Sequence, residues 1–391
     1  VRRSFRPTLE ALEGRQVPST LTVTSPLDSG PGSLRALVNQ ANNDAAHGQA
    51  DTIRFSGDLK NATITLQQPL ELAAARAKVT IDGGDRQISL SGGNMTGLFA
   101  VDSNASLSLK NLTVEDGNGY DGGAITISSG GRLRLSACNF QDNQSMLYGG
   151  AIDNAGRLAA LDCVFSDNRA ANSYKAGSAG GGAIANGGDL SLTGCAFNSN
   201  YAPFGGAIEN EGGTLSVVQS SFSANFAGSG VRGVGWGGAI YSTPGGTVSA
   251  TLCTFSLNYA DAGSGGAIAN FKSTVSLSSC TFSANSADAG NGGAIVNSQG
   301  TVSASFCTFS GNSAGSFGGA AENGGGTLNF SNCTFRDNSA GYGGAIYNSQ
   351  SGSLTYSSCS FQGDSASVLG NDIYDAPHPW HVLPLHVWLG A

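Results

Sequence analysis

The chain has 391 residues, 59 of them glycine, with a formal net charge of −8 and only 12% charged residues. An acidic balance with five lysines argues against nucleic acid or an anionic membrane as partner, and no run of 18 apolar residues offers a transmembrane helix. Few charges and regularly recurring apolar residues argue against disorder.

Residues 1–20 are basic at the front and lack the apolar stretch of a signal peptide, so they read as a leader or a disordered tail. From Leu21 the pattern turns to short alternating runs. Strands are expected over 21–24, 51–55, 62–66, 78–81, 87–90, 98–101, 107–109 and 112–114. One helix interrupts them, over 34–42. Ser33 is placed to cap it, and Leu34, Leu37, Val38 and Ala41 share a face. An open solenoid end exposes unpaired edges and apolar core, so this helix is expected to cover the first coil. Residues 21–120 therefore read as an N-terminal cap with irregular coils.

Residues 121–375 are a repeat. Gly-Gly-Ala-Ile begins at Gly122, Gly149, Gly181, Gly205, Gly237, Gly265, Gly292 and Gly343, and Gly318-Gly319-Ala320-Ala321 fills the gap. Copies start 24 to 32 residues apart. A second landmark, Cys-x-Phe-x-x-Asn, follows in each copy, as in Cys195, Phe197 and Asn200. Ser220 replaces the cysteine once, and Asp364 replaces the asparagine in the last copy. Ile184 and Asn186, Leu190 and Leu192, Cys195 and Phe197 are each two apart, the period of a strand with one buried face. Three short strands and three turns per unit describe one coil of a right-handed single-stranded parallel β-helix, pectate-lyase-like. Stacked coils put like residues over like, in columns of Ile, Asn, Leu, Cys, Phe and Asn. The asparagines are expected to bond to one another and to free backbone groups. The glycine pair supplies a backbone shape or a close approach that a Cβ would forbid. The cysteines read as small core residues in one column, with oxidation of neighbours left open. No histidine lies in the repeats and no Cys-x-x-Cys is present, so neither a metal nor a cofactor is expected. Residues 376–391 form an apolar, unrepeated tail holding His378 and His381.

Three resemblances add to this reading. Leu9-Glu10-Ala11-Leu12-Glu13-Gly14-Arg15 resembles the leader of large predicted surface proteins of planctomycete bacteria, which implies export. Gly32-Ser33-Leu34-Arg35-Ala36, with Val79-Thr80-Ile81-Asp82-Gly83, is similar to the N-terminal portion of bacterial secreted β-helix proteins, although Gly32 stands where many have cysteine. The Gly-Gly-Ala-Ile and Phe-x-x-Asn copies over about 120–365 resemble the polymorphic outer membrane protein repeat of chlamydial and other bacterial surface proteins. That resemblance implies an extracellular or cell-surface, outer-membrane-associated protein. In the chlamydial proteins a membrane barrel follows the repeats. No room for one is seen after Asp364, so an autotransporter mechanism is not expected to carry over.

Because many β-helices act on polysaccharides, the position inside Gly-Gly-Ala-Ile-x-Asn matters: strand alternation makes it an outward column. It runs Thr126, Asp153, Ala185, Glu209, Tyr241, Ala269, Val296, Glu322, Tyr347. Asp153 and Glu209 are separated by a whole coil, roughly 10 Å, just past the range of an inverting carboxylate pair. Asp142, Asp162, Asp167 and Asp337 read as solvated turn acids. Exposed aromatics at Tyr241 and Tyr347, with Trp236 and Tyr342 beside them, offer stacking surfaces. Two lengthened units carry Tyr174, Lys175, Arg232 and Trp236 in loops. The expectation is a monomeric, non-catalytic structural or adhesive module binding glycans or matrix proteins through Asp153, Glu209, Trp236, Tyr241, Glu322, Tyr342 and Tyr347. The alternative is a polysaccharide lyase or hydrolase with an atypical site.

Overall fold

The computed structural model describes residues 19–73, 78–170, 180–228 and 235–376. Residues 1–18 of the leader, residues 377–391 of the tail, and Tyr174, Lys175 and Arg232 lie outside them, whereas Ser19 and Thr20, read as leader, belong to the first strand, Ser19–Val23. Every strand pairing is parallel, and each strand pairs with its counterpart one coil away, as in Phe140↔Phe165↔Phe197↔Phe222. The chain is an all-β parallel solenoid.

Each regular coil has four strands, not three. The long-strand sheet has 13 strands, five residues each in the regular coils. The phenylalanine sheet and the glycine-pair sheet have 12 each. The fourth, a narrow sheet, has 10 strands, nearly all of two residues, such as Gln144–Ser145 and Phe226–Ala227. Two residues show no alternation, so this sheet is silent in the sequence pattern. Leu70–Leu72 is a further strand that sequence reading passes over, because Pro69 precedes a run of only three residues. Three of the four sheets run unbroken from the N-terminal coils into the regular ones.

The helix spans Leu34–Ala46, capped by Ser33 Oγ accepting from the Ala36 N–H. Leu34, Val38, Ala41 and Ala45 are buried on the first coils. Arg35 ties it down through Asp28 at 2.8 Å and the Gln68 and Pro69 carbonyls.

Inside, the stacked columns form as the repeat predicts. Phenylalanine rings from Phe140 to Phe361 stack face to face, with centroids 4.7–5.1 Å apart. The glycine pair needs both properties expected of it. Gly205 sits at φ +57, the left-handed region, and a Cβ on Gly206 would stand 2.2 Å from the Gly238 carbonyl oxygen of the next coil. The turn acids Asp142, Asp162, Asp167 and Asp337 all sit at positive φ, where a short polar side chain is tolerated.

All eight cysteines are free, and seven are buried. Each buried thiol lies near the carbonyl two residues back, as Cys253 Sγ does with Thr251 O at 3.3 Å. Ser220 fills the missing place with the same geometry: its Oγ donates to Val218 O at 2.9 Å and accepts from Cys195 N at 3.0 Å. Only Cys359, in the last coil, is partly exposed. A disulfide-exchange reagent is therefore expected to titrate one thiol in the native protein and eight after denaturation. Rapid native reaction of three or more would contradict a closed core.

Candidate functional site

The glycine-pair sheet carries the site. Its register places Thr126, Asp153, Ala185, Glu209, Tyr241, Ala269, Val296, Glu322 and Tyr347 in one column, each a single coil from the next. Asp153 and Glu209 are separated by the coil of Ala185, as the spacing predicts.

The column is covered over much of its length, with Thr126, Asp153, Tyr241 and Tyr347 partly exposed. Ala185, Ala269 and Val296 are buried, and Glu209 and Glu322 are each only 6% exposed. Tyr241, Trp236, Tyr342 and Tyr347 are half-buried rather than exposed, which corrects the sequence reading. The cover is the residue just before each glycine pair. Tyr148, Gly180, Phe204, Trp236 and Ser264 bridge one another in parallel, a short ladder running beside the strands. Phe204 in this ladder, and Phe317 and Tyr342 in a separate bridge further along, meet the column residue one coil ahead. Phe204 packs on Tyr241 at 5.3 Å, Phe317 on Tyr347 at 4.4 Å, and Tyr342 on Tyr374 at 5.5 Å between ring centroids. The same offset brings Gly180 to Glu209. A Cβ on Gly180 would collide with the Glu209 carboxyl, so the carboxyl fills the space left by the missing side chain.

The electrostatics follow from that burial. Among the described residues Glu209 Oε2 is buried without a hydrogen-bond partner. Desolvation, then Glu211, push its pKa up to about 8. Desolvation also lifts Asp153 to about 6, with Asp121 and Glu211 adding repulsion, and lifts Glu322 to about 7. At neutral pH Glu209 is thus a neutral acid, while most Asp153 is ionised. Among the described residues no cluster of three or more His, Cys, Asp or Glu is arranged to hold a metal ion.

Beside this column the narrow sheet adds a second aromatic row. Tyr201, Phe226 and Tyr259 are half-buried and stack at 5.3 Å, and the Arg169 guanidinium lies 4.1 Å over the Tyr201 ring.

The structure therefore brings Asp153, Glu209, Trp236 and Tyr241 into one neighbourhood, and Glu322, Tyr342 and Tyr347 into another further along the same sheet. Sequence reading missed Asp121, Tyr148, Phe204, Glu211 and Phe317. Reading the position before each glycine pair as a column would have found four of them, since it runs Asp121, Tyr148, Gly180, Phe204, Trp236, Ser264, Asn291, Phe317, Tyr342.

These features define a class: a parallel β-solenoid with one side built from sunken acids and stacked aromatics. Two stretches, residues 279–298 and 332–349, match the model of the Chlamydia polymorphic membrane protein (Chlamydia_PMP) repeat. No curated protein matches the chain. Among solved structures it is similar to an iota-carrageenase of family GH82 from A. fortis, at 9% identity and TM-score 0.28, over 95% of this chain and 94% of that one. It is also similar to tailspike protein 3 of bacteriophage CBA120, at 10% identity and TM-score 0.23, over 82% and 58% of the two chains. At these scores neither likeness carries weight for function. Among the described residues no helix is long and apolar enough to cross a membrane.

Proposed function

We propose that the protein is an extracellular or cell-surface rod that binds glycans or matrix proteins through its glycine-pair side and does not turn them over. The observation that carries this reading is the fixed aromatic array. Trp236, Tyr241, Tyr342 and Tyr347 are half-buried, held in register by the ladder beside them. Tyr201, Phe226 and Tyr259 extend the array on the adjoining sheet. Half-buried rings with a polar tip suit stacking on sugars or burial against a protein, and a rigid platform loses little entropy on binding. The polymorphic membrane protein repeats support a place at the outer surface.

One observation favours the alternative of a polysaccharide-acting enzyme. Asp153 and Glu209 have pKa values driven apart, about 6 and about 8, the pattern of a base and an acid. Against it, the Glu209 carboxyl is sunk under Gly180, where a glycosidic oxygen has no approach. A glycan and matrix-protein binding screen, with reducing-end release followed in the same samples, separates the two. Binding that weakens in Tyr241→Ala and Tyr347→Ala, without release, is expected. Release that vanishes in Asp153→Asn and Glu209→Gln would establish the enzyme instead.

A further inference from the structure

The long-strand sheet presents a different face, and its N-terminal half breaks the acidic character of the chain. Arg132 pairs with Arg157, Ser108 with Arg134, and Asp82 with Lys110. Val79 pairs with Leu107, so Lys78 occupies the place below Ser106, in the column that continues to Arg132 and Arg157. Five cations, Lys78, Lys110, Arg132, Arg134 and Arg157, thus fall on four consecutive coils, about 14 Å along the axis. Arg132, Arg134 and Arg157 are exposed, and the two lysines are partly so.

Few carboxylates answer them. Asp189 pairs with Arg157 at 3.1 Å. Asp82 is engaged with the Asn111 amide and the Gly84 N–H. Among the described residues Lys78, Lys110, Arg132 and Arg134 have no carboxylate within salt-bridge distance. The cations are close enough to repel: after desolvation, Lys110 and Arg134 are what lower the Lys78 pKa. Exposed like charges held together on strands cost free energy, and an anionic ligand relieves that cost.

The surroundings indicate what kind of anion. Depressions of about 530 and 430 Å³ run between these side chains, and Ser108, Ser136, Ser191, Thr193, Thr214 and Ser216 line them. Serine and threonine columns then continue along the same sheet, from Ser216 through Ser249 and Ser276 to Ser303. A ligand with both anionic groups and many hydroxyls, extended along the axis, meets both kinds of partner. Single-stranded nucleic acid binds on aromatic platforms, and no aromatic residue lines these depressions. The chain's overall net charge of −8 opposes a longer, denser polyanion that would reach beyond this face.

We infer that Lys78, Lys110, Arg132, Arg134 and Arg157 form a docking face for a linear anionic polysaccharide, one bearing uronate or sulfate groups. The inference goes beyond the proposed binding side, since it uses another sheet and the opposite charge, and variants of Tyr241 leave it untouched.

The full chain is assayed on immobilised polygalacturonate, dextran sulfate and neutral dextran, with duplex DNA and phosphatidylserine vesicles in parallel. Saturable binding to the uronate or the sulfate polymer is expected near 50 mM salt, fading by 300 mM, with none to neutral dextran. The arm that binds identifies the anionic group. Arg132→Gln with Arg134→Gln is expected to weaken binding about tenfold, because each exposed charge pair contributes modestly. Arg336→Gln, on the phenylalanine sheet, is expected to leave it unchanged. These exposed substitutions leave the thermal midpoint in place, which checks that the fold is intact. No binding to either polymer at low salt, full binding by the double variant, or tighter binding to DNA or vesicles would each overturn the inference.

Discussion

Replacing Asn225 by aspartate is expected to destabilise the protein by about 4 kcal/mol, whereas Asp364→Asn is expected to change stability by less than about 0.5 kcal/mol. The two are the same column, and the difference lies in its direction. Asn225 Nδ2 donates forward to Asn258 Oδ1 at 2.9 Å and back to Phe197 O at 2.9 Å. Its own Oδ1 accepts from Asn200 N and Asn200 Nδ2. Because a backbone N–H donates to each Oδ1, the orientation of every amide is fixed. The chain of amides runs from Asn143 to Asn338 and stops on Asp364, which accepts from Asn338 N at 2.8 Å and Nδ2 at 2.7 Å. Asp364 is the last member among the described residues; its Oδ1 accepts from the ladder and no described coil beyond it takes a donor, so a carboxylate is tolerated there even though its Oδ2 is buried without a partner among the described residues. The second ladder ends the same way, with Asn348 Nδ2 donating to Asp375 at 2.8 Å.

In the middle an aspartate cannot serve. Its oxygens would face the Asn258 oxygen and the Phe197 carbonyl, with no donor between, in a position that is fully buried. Asn225→Ala is expected to cost about 3 kcal/mol, by stranding the Asn200 N–H and one of its amide hydrogens. Urea unfolding followed by circular dichroism measures all three. Since each coil contacts only its neighbours, the mid-rod variants are also expected to broaden the transition as the two halves uncouple. Equal midpoints for Asn225→Asp and Asp364→Asn would show that the ladder has no direction.

Much of this was legible in the sequence because stacked coils convert a linear repeat into columns. The phenylalanine, isoleucine, asparagine and cysteine columns could be written down from spacing alone, and so could the Asp153–Ala185–Glu209 register. Burial of the site column was not legible. Alternation says that Glu209 points away from the core, but not that a second ladder lies over it. That ladder is made of single residues at Tyr148, Phe204 and Trp236, too short to show any period. The basic face was hidden for a related reason. Net charge averages over the chain, and Lys78, Lys110 and Arg134 become neighbours only once their coils are aligned.

Glu209 supplies the second large effect, read as a pH dependence. Its ordinary pKa of 4.5 rises to about 8 in the folded chain. Below pH 4.5 both folded and unfolded chains hold the proton, and the stabilising contribution is complete. Between pH 4.5 and 8 the unfolded chain releases the proton and the folded chain keeps it, so stability falls as pH rises. Above pH 8 both have lost it and the loss levels off. A shift of this size amounts to about 5 kcal/mol across the window. Glu209→Gln removes the titration, so it is expected to flatten the profile and to be more stable than the parent at pH 8. At pH 4 it should match the parent or fall slightly below it, because its amide hydrogens meet the same partnerless slot under Gly180. Glu322→Gln should act alike through its pKa of about 7, with a window about one pH unit narrower. The two glutamates lie four coils apart, roughly 19 Å, so the double variant is expected to combine both effects additively. Denaturant midpoints at pH 4, 6 and 8 give the profile. A parent whose stability does not fall from pH 5 to pH 8, or a Glu209→Gln variant that keeps the full slope, would mean that this carboxyl is not held neutral in the slot beneath Gly180.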